Sequence, residues 1–164
     1  DAATDMFLIT QDICEEAGLP AYEISNHARP GAESRHNLIY WRGGDYAGIG
    51  PGAHGRLTLG GLRHATEAPR LPGDWLDRVE RLGSGEGSRN ALSPGDRATE
   101  FLLMGLRLAE GIDLRRYASL GGLPDESRLD HLETIGMIWR TGDRIGATRS
   151  GRAVLNAVLR ELLS

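Results

Sequence analysis

The amino-acid sequence predicts an α/β segment followed by a mostly helical domain, and three observations support this fold class. A helical pattern up to residue 17 is followed by a Leu-Pro break and by the alternating segment 21–25. Helix, turn and strand form the repeating unit of a parallel α/β barrel or sheet. Beyond Glu67 the patterns are mainly helical, and the final residues follow the order helix, β-hairpin, helix. That order resembles part of a winged-helix module.

The elements of the first half follow from spacing and composition. Apolar residues recur at steps of three and four from Met6 to Ala17, and Gly18 is the predicted helix stop. Four further segments are assigned as a polar turn over residues 26–34, a strand or loop over 36–41, a strand or hairpin over 56–66, and a short helix over 75–82. A Gly/Ser-rich linker over residues 83–90 separates this half from the next.

The second half contains the clearest helix. Ser93 is the predicted N-cap, Pro94 occupies the first helical position and Asp96 completes a capping box, while Gly111 is the predicted end. The remaining elements are predicted as a short helix over residues 114–120, a helix over 125–135, strands over 137–140 and 144–148, and a final helix over 151–163.

Composition excludes several classes of protein. The chain has 164 residues with 40% hydrophobic residues, enough for one domain with a core. No run of 18 apolar residues occurs, so we expect a cytoplasmic protein that reaches membranes only through its partners. The net charge of −4 gives no electrostatic reason to expect nucleic acid. The single cysteine, Cys14, excludes a site built from several thiolates and is predicted to be a buried small hydrophobe. Because the chain starts at Asp1 inside a helical pattern, we expect it to be a piece of a longer protein.

The most informative stretch contains four chemically distinctive residues, His36, Asn37, Tyr40 and Trp41. An imidazole can be an axial ligand of haem iron, the two aromatic rings offer stacking faces, and an amide can orient a partner. This set therefore suits a flat aromatic ligand. The alternative is structural, with Tyr40 and Trp41 filling a core and His36 capping a turn.

A second candidate site is the glycine-rich run from Gly48 to His54. Its candidate binding residues are Gly48, Gly50, Gly52, Ala53 and His54. Glycines let backbone N–H groups approach a ligand closely, as in phosphate and nucleotide cradles. The run lacks both the Walker pattern and the dinucleotide-binding spacing, so a tight turn is the alternative. The five histidines form no i, i+4 helical pair, and a dedicated zinc site is not expected.

Several motifs occur together in an order that resembles the HemW family, radical SAM proteins related to oxygen-independent coproporphyrinogen III oxidase (HemN). The motifs are Tyr22-Glu23-Ile24-Ser25-Asn26, Arg29-Pro30-Gly31, Arg35-His36-Asn37-x-x-Tyr40-Trp41, the run from Asp45 to His54, Glu100-x-Leu102-x-Met104-Gly105-Leu106-Arg107-Leu108-x-Glu110-Gly111 and Thr148-x-x-Gly151. The resemblance implies that residues 1–66 are the last β/α elements of a partial radical SAM barrel. Residues 67–164 would then be the helical, winged-helix-like C-terminal domain.

The resemblance also implies ligands and site residues. The family binds a [4Fe–4S] cluster and S-adenosylmethionine through a Cys-x3-Cys-x2-Cys motif, which this sequence does not contain. We therefore expect no catalytic residues and no activity from this piece. In the HemW branch the residues matching His36, Asn37, Tyr40 and Trp41 are associated with haem binding, with His36 as the candidate iron ligand. The run from Gly48 to His54 would lie near S-adenosylmethionine or substrate.

Two departures from the family pattern affect the candidate haem site. Many relatives carry phenylalanine at the position of His27 and cysteine at the position of Ser34. Without that thiol, His36 is the one obvious ligand for haem iron in this motif. The loss of that thiol is therefore expected to weaken or alter haem binding.

Three functional hypotheses follow from the resemblance. The first is a haem chaperone that delivers haem to respiratory acceptor proteins. The second is an S-adenosylmethionine-dependent coproporphyrinogen III oxidase acting in porphyrin biosynthesis by oxidative decarboxylation. The third is an interaction module formed by residues 93–164, without affinity for nucleic acid because acids and arginines balance near its end. Exposed barrel edges in residues 1–60 also predict dimerisation.

Overall fold

The computed structural model describes residues 2–164, which form helices and short antiparallel strands. The helices are α1 (Ala2–Glu16), α2 (Arg35–Trp41), α3 (Pro72–Leu82), α4 (Pro94–Gly105), α5 (Leu114–Ser119), α6 (Glu126–Thr134), α7 (Arg149–Ala153) and α8 (Leu155–Leu163). The strands are β1 (His54–Leu59), β2 (Leu62–Glu67), β3 (Ser88–Ala91), β4 (Ile112–Asp113), β5 (Ile138–Thr141) and β6 (Arg144–Ala147). Within the described residues, no helix is long and apolar enough to cross a membrane.

The described chain divides into two compact units. The main unit contains residues 2–43 and 98–164, and the hairpin unit contains residues 44–97. This division differs from the predicted domain boundary after residue 66. Strand β3 lies beyond that boundary, yet it pairs with β2, so residues on both sides share one sheet. The assignment of residues 1–66 to a barrel and of 67–164 to a helical domain stays a prediction.

The hairpin unit is built on the sheet β1-β2-β3. Strands β1 and β2 pair in the register Leu59↔Leu62 across Gly60-Gly61, whose φ angles of 57° and 80° suit a tight two-residue turn. The predicted hairpin over residues 56–66 is therefore confirmed. The predicted helix over residues 75–82 is confirmed as α3, which begins slightly earlier.

The predicted linker is partly wrong. Residues 88–91 form strand β3, which pairs with β2 in the antiparallel register His64↔Ala91. The four residues of β3 are polar or small, so their sequence shows no clear strand pattern. They form a strand because the edge of β2 offers backbone hydrogen-bond partners, which the local sequence does not reveal.

The core of the main unit lies between helices and the sheet β4-β6-β5. Its most buried side chains come from α4, α6, the strands and α8, and include Leu106, Leu129, Ile138, Ile145 and Val158. The capping box at the start of α4 is confirmed, because Ser93 Oγ accepts from the Asp96 N–H at 3.1 Å and Asp96 accepts from the Ser93 N–H at 3.3 Å. Helix α4 ends at Gly105 rather than at Gly111.

The predicted final helix is interrupted. Thr148 caps α7 by accepting from the Gly151 N–H at 3.0 Å, and Val154, whose φ is −124°, separates α7 from α8. Gly151 is buried so close to the Met137 carbonyl that no side chain fits there. The Thr148-x-x-Gly151 motif thus combines a helix cap with a close backbone approach.

The N-terminal segment differs most from its prediction. Helix α1 and its stop at Gly18, with φ of 72°, are confirmed. Residues 21–25 form isolated antiparallel bridges, Ala21↔His27 and Glu23↔Leu108, rather than a strand of a parallel sheet. In the described residues every strand pairing is antiparallel. Cys14 is half-buried rather than buried.

Candidate functional site

The candidate haem-binding residues lie on α2, where we predicted a strand or a loop. The Ser34 side chain caps this helix by accepting from the Asn37 N–H at 3.4 Å, and the Arg42 N–H donates to the Leu38 carbonyl at its end. Gly43 follows with φ of 65° and stops the helix. Local capping at both ends therefore overrides the ambiguous pattern of the seven residues between.

Residues 36 and 40 form an outward-facing pair one helical turn apart. His36 is exposed and Tyr40 is half-buried. Their ring centroids lie 4.8 Å apart with an interplanar angle of 63°, an edge-to-face arrangement. This contact limits the rotation of the imidazole while leaving it accessible to a ligand.

Residues 37 and 41 form a second pair, which holds α2 against the rest of the main unit. Asn37 Nδ2 donates to the Tyr22 hydroxyl at 3.1 Å. The Arg107 guanidinium lies 5.4 Å from the centroid of the Trp41 ring, a cation–π contact. The indole nitrogen of Trp41 is buried and has no hydrogen-bond partner in the described part of the chain.

The four predicted residues thus share one helix but divide into two pairs with different contacts. His36 and Tyr40 form an accessible surface, whereas Asn37 and Trp41 contact other parts of the main unit. The spacing His-Asn-x-x-Tyr-Trp produces both pairs, because each partner follows after four residues.

An ion pair fixes the C-terminal end of α2. Arg42 Nε and Nη2 donate to the two carboxylate oxygens of Glu110, each at 2.8 Å. These hydrogen bonds hold the pKa of Glu110 below its ordinary value and raise the pKa of Arg42. Both side chains are about half exposed, so the pair contributes little to stability.

The glycine-rich run lies in the hairpin unit and uses much of its backbone internally. The Gly52 N–H donates to the Pro69 carbonyl at 2.7 Å, and the Ala53 N–H donates to the Gly50 carbonyl at 3.2 Å. A Cβ atom on Gly48 would lie 2.5 Å from the His54 carbonyl oxygen. These contacts give the glycines a structural use, because the chain packs closely on itself.

His54 at the end of this run is exposed. Its Nδ1 atom lies 3.7 Å from a carboxylate oxygen of Glu67, a distance that allows only a weak ion pair when the imidazole is protonated. The run therefore offers a ligand the His54 side chain more readily than the N–H groups of Gly52 and Ala53.

The structure adds residues to which sequence analysis gave no role. Tyr22 and Arg107 contact the anchoring pair of α2, and Glu110 binds the residue at its end. All three lie within the motifs on which the HemW resemblance rests. Their position in those motifs was the one sequence signal that could have drawn attention to them. Their partners are distant in sequence, so spacing alone could not identify the contacts.

The described residues do not fit an iron–sulfur cluster held by three thiolates. The chain contains one cysteine, and the described residues contain no group of three or more His, Cys, Asp or Glu side chains able to hold a metal ion. The described residues therefore cannot hold such a cluster by themselves.

Comparisons with known proteins agree with these motifs. Residues 92–154 match the family model described as the HemN C-terminal domain. The chain is 34% identical over 175 aligned residues to "Radical S-adenosyl methionine domain-containing protein 1, mitochondrial" of Bos taurus, which covers 100% of this chain and 40% of that protein. It is 38% identical over 153 residues to "Heme chaperone HemW" of Mycobacterium tuberculosis (strain CDC 1551 / Oshkosh), covering 90% of this chain and 36% of that protein.

A solved structure shows the same fold. The coproporphyrinogen III oxidase HemN of Escherichia coli, described as a radical SAM enzyme, matches with a TM-score of 0.68 and 16% identity over 96% of this chain and 40% of that one. Residues 92–154 thus match a HemN C-terminal domain, and the chain as a whole is similar to proteins of the radical SAM class. The chain belongs to the HemW family. It spans about 40% of the length of its relative from Bos taurus.

Proposed function

We propose that this protein binds haem through His36 and passes it to acceptor proteins, as a haem chaperone. The observation that carries the proposal is the exposed imidazole of His36, whose ring centroid lies 4.8 Å from that of Tyr40, on a helix anchored through Asn37 and Trp41. The name "Heme chaperone HemW" of a relative that is 38% identical to this chain supports this choice.

The chemistry expected of the site follows from the position of its residues. A neutral imidazole donates a nitrogen lone pair to haem iron, and the adjacent aromatic ring packs against the flat macrocycle. Because α2 is capped and anchored, His36 meets the haem from a fixed direction. A ligand held at an exposed helix face remains accessible to an acceptor, which suits delivery better than storage.

The oxidase alternative receives less support. Relatives named HemW are 38% and 32% identical to this chain, whereas the HemN structure is 16% identical and indicates the fold alone. Radical chemistry belongs to the whole protein, for which S-adenosylmethionine and a [4Fe–4S] cluster remain proposals. The placement of the Gly48–His54 run near S-adenosylmethionine or substrate likewise remains a proposal.

We also propose that the second half of the chain is a winged-helix-like module for protein partners. Its order α4, β4, α5, α6, β5, β6 and its sheet order β4-β6-β5 support this comparison. Three acids of α6, Glu126, Asp130 and Glu133, surround Arg140 of β5 at 2.7–4.0 Å. An acidic face of this kind does not suit DNA. The candidate partners are haem-accepting respiratory proteins and a second copy of the chain.

Haem titration of the purified protein, followed at the Soret band, tests the chaperone proposal. His36→Ala should lower haem affinity at least tenfold, by about 1.4 kcal/mol or more, and change the Soret maximum, because the iron loses its axial ligand. His36→Met should retain binding with a shifted band, a result that a purely structural histidine would not give.

His131→Ala is the matched control, because His131 is an exposed histidine on another helix of the same unit. It should leave the affinity and the Soret band unchanged. If His36→Ala binds haem with the same affinity and spectrum as the parent protein, His36 is not the ligand and the proposal is wrong.

A further inference from the structure

Three arginines that form no ion pair with a carboxylate in the described residues lie together in the main unit. Several arginines form ion pairs with acids, namely Arg42, Arg63, Arg81, Arg89, Arg115, Arg128, Arg140 and Arg149. Arg107, Arg152 and Arg160 are among the arginines that have no such pair in the described residues. In a chain with net charge −4, where acids outnumber basic residues, unpaired arginines that lie together indicate a site for an external anion.

These arginines line one cavity. The cavity has a volume of about 360 Å³, and its walls include Ile24, Asn156 and all three guanidinium-bearing side chains. No Asp or Glu side chain lines it. The amide of Asn156 adds a neutral hydrogen-bonding group, so the lining can donate several N–H groups to one ligand.

Arg152 is the most constrained of the three. Its Nη2 atom donates to the Glu23 backbone carbonyl at 2.6 Å, whereas its Nε atom is buried and has no hydrogen-bond partner in residues 2–164. Burial lowers the pKa of Arg152, and the charge of the nearby Glu23 carboxylate opposes that effect. The Oε2 atom of Glu23 is likewise buried without a partner in the described residues, so this carboxylate provides charge near Arg152 but accepts no hydrogen bond from its Nε atom. A buried donor without a partner is costly, and an anion in the cavity would supply an acceptor for it.

A second cavity adjoins the first and is mainly apolar. It has a volume of about 560 Å³ and is lined by Leu103, Leu159 and Leu163 together with Arg107, Asn156 and Arg160, which also line the first cavity. The two cavities therefore share one wall and form a groove with a cationic end and an apolar end. We call this groove the arginine–leucine groove.

We propose that the arginine–leucine groove binds a carboxylate attached to an apolar body. The planar guanidinium groups suit a carboxylate, which they can bind through two parallel hydrogen bonds, and the leucine side chains cover the apolar part. A fatty carboxylate and the propionate of a porphyrin share this chemistry. The site is distinct from the His36 imidazole, so it does not depend on the haem-chaperone proposal.

Isothermal titration calorimetry with sodium decanoate tests the groove. The purified protein should bind decanoate and should not bind decanol, which has the same chain length without the charge. Arg160→Gln, at an exposed position, should weaken decanoate at least about tenfold, and the double variant Arg107→Gln/Arg160→Gln should weaken it further. Raising the salt concentration should also weaken binding.

Arg115→Gln is the matched control, because it removes the same charge from the same unit outside the groove. It should leave the affinity for decanoate unchanged, and so should His36→Ala, which separates this proposal from the function proposed for α2. Circular dichroism should show that each variant is folded. Equal affinity of decanoate for the parent protein and the double variant, or equal affinity of decanol and decanoate, would overturn the proposal.

Iron-free protoporphyrin IX separates the two sources of the ligand, because it carries propionates but cannot bind iron to His36. If Arg160→Gln weakens both decanoate and protoporphyrin, the groove accepts porphyrin propionates. If it weakens decanoate alone, the groove is specific for fatty carboxylates. Protoporphyrin dimethyl ester, which lacks the charges, should be insensitive to Arg160→Gln in either case.

Discussion

Helix α2 and the glycine-rich run from Gly48 to His54 both contain candidate binding residues. They differ in which of their polar groups already form hydrogen bonds within the protein. In α2 the anchoring contacts fall on Asn37 and Trp41, and the imidazole of His36 stays exposed. In the glycine-rich run, backbone N–H groups bond to carbonyls of the same unit. A motif is therefore informative about ligands only when its donors are not already used by the fold.

The comparison also explains why one motif combines two functions. A helix separates its residues onto faces, so one face can anchor while the other binds. A tight loop has no such separation, and each glycine that enables a close approach brings the backbone against itself. Changes in the loop should therefore affect stability, whereas changes on α2 should separate stability from ligand binding.

The largest expected effect concerns the loop. Gly48→Ala places a Cβ atom 2.5 Å from the His54 carbonyl oxygen and 3.0 Å from the Gly55 nitrogen, and backbone atoms cannot move aside cheaply. We expect a loss of about 3 kcal/mol in the free energy of unfolding, measured by chemical denaturation. Gly73→Ala is the control, because a Cβ atom there meets nothing within 4 Å. If Gly48→Ala were as stable as the parent protein, the close approach at Gly48 would not be needed for the fold, and the structural role of the run would be wrong.

A smaller effect tests the anchoring face of α2. Asn37→Ala and Tyr22→Phe each remove one partner of the hydrogen bond of 3.1 Å between these side chains, and each should destabilise the protein by about 1 kcal/mol. The double variant should lose less than the sum, because the two changes remove the same interaction. The Soret maximum of bound haem should stay in place in both variants, since His36 is retained. Additive losses would contradict the anchoring role.

Helix α2 shows how much the sequence alone could predict. The candidate site residues were proposed from their chemistry, and that proposal stays a prediction. Their helical conformation was not predicted, because seven residues give too few turns for a periodic pattern. Ser34 and Gly43 at its two ends were the signals for a helix. The hydrogen bond to Tyr22 and the contact with Arg107 are tertiary, so no local pattern indicates them.

The strand predicted over residues 21–25 fails for a different reason. Its alternation is real, but a strand also needs a neighbour of matching length, and only single bridges to His27 and Leu108 are formed in the described residues. By contrast, α4 and the strands β5 and β6 were predicted well, because capping residues and a tight turn at Gly142 define them locally. Prediction therefore succeeded where the determinants are local.

The smallest expected effect concerns the end of α2 and depends on pH. The hydrogen bonds from Arg42 hold the pKa of Glu110 below its ordinary value. The ion pair therefore stabilises the folded state fully above a pH of about 4.3, the pKa of a glutamate in the unfolded chain. This contribution is lost as the pH falls through the pKa of Glu110 in the folded state. Arg42→Gln should lower the free energy of unfolding at pH 7 by less than about 1 kcal/mol, because both side chains are half exposed. The difference in free energy of unfolding between Arg42→Gln and the parent protein should shrink at pH 3. Arg29→Gln is the control, because it removes the same charge from an arginine without an ion pair in the described chain. It should cause no such pH-dependent difference. A difference between Arg42→Gln and the parent that persists unchanged at pH 3 would show that Arg42 supports α2 by packing rather than by its charge.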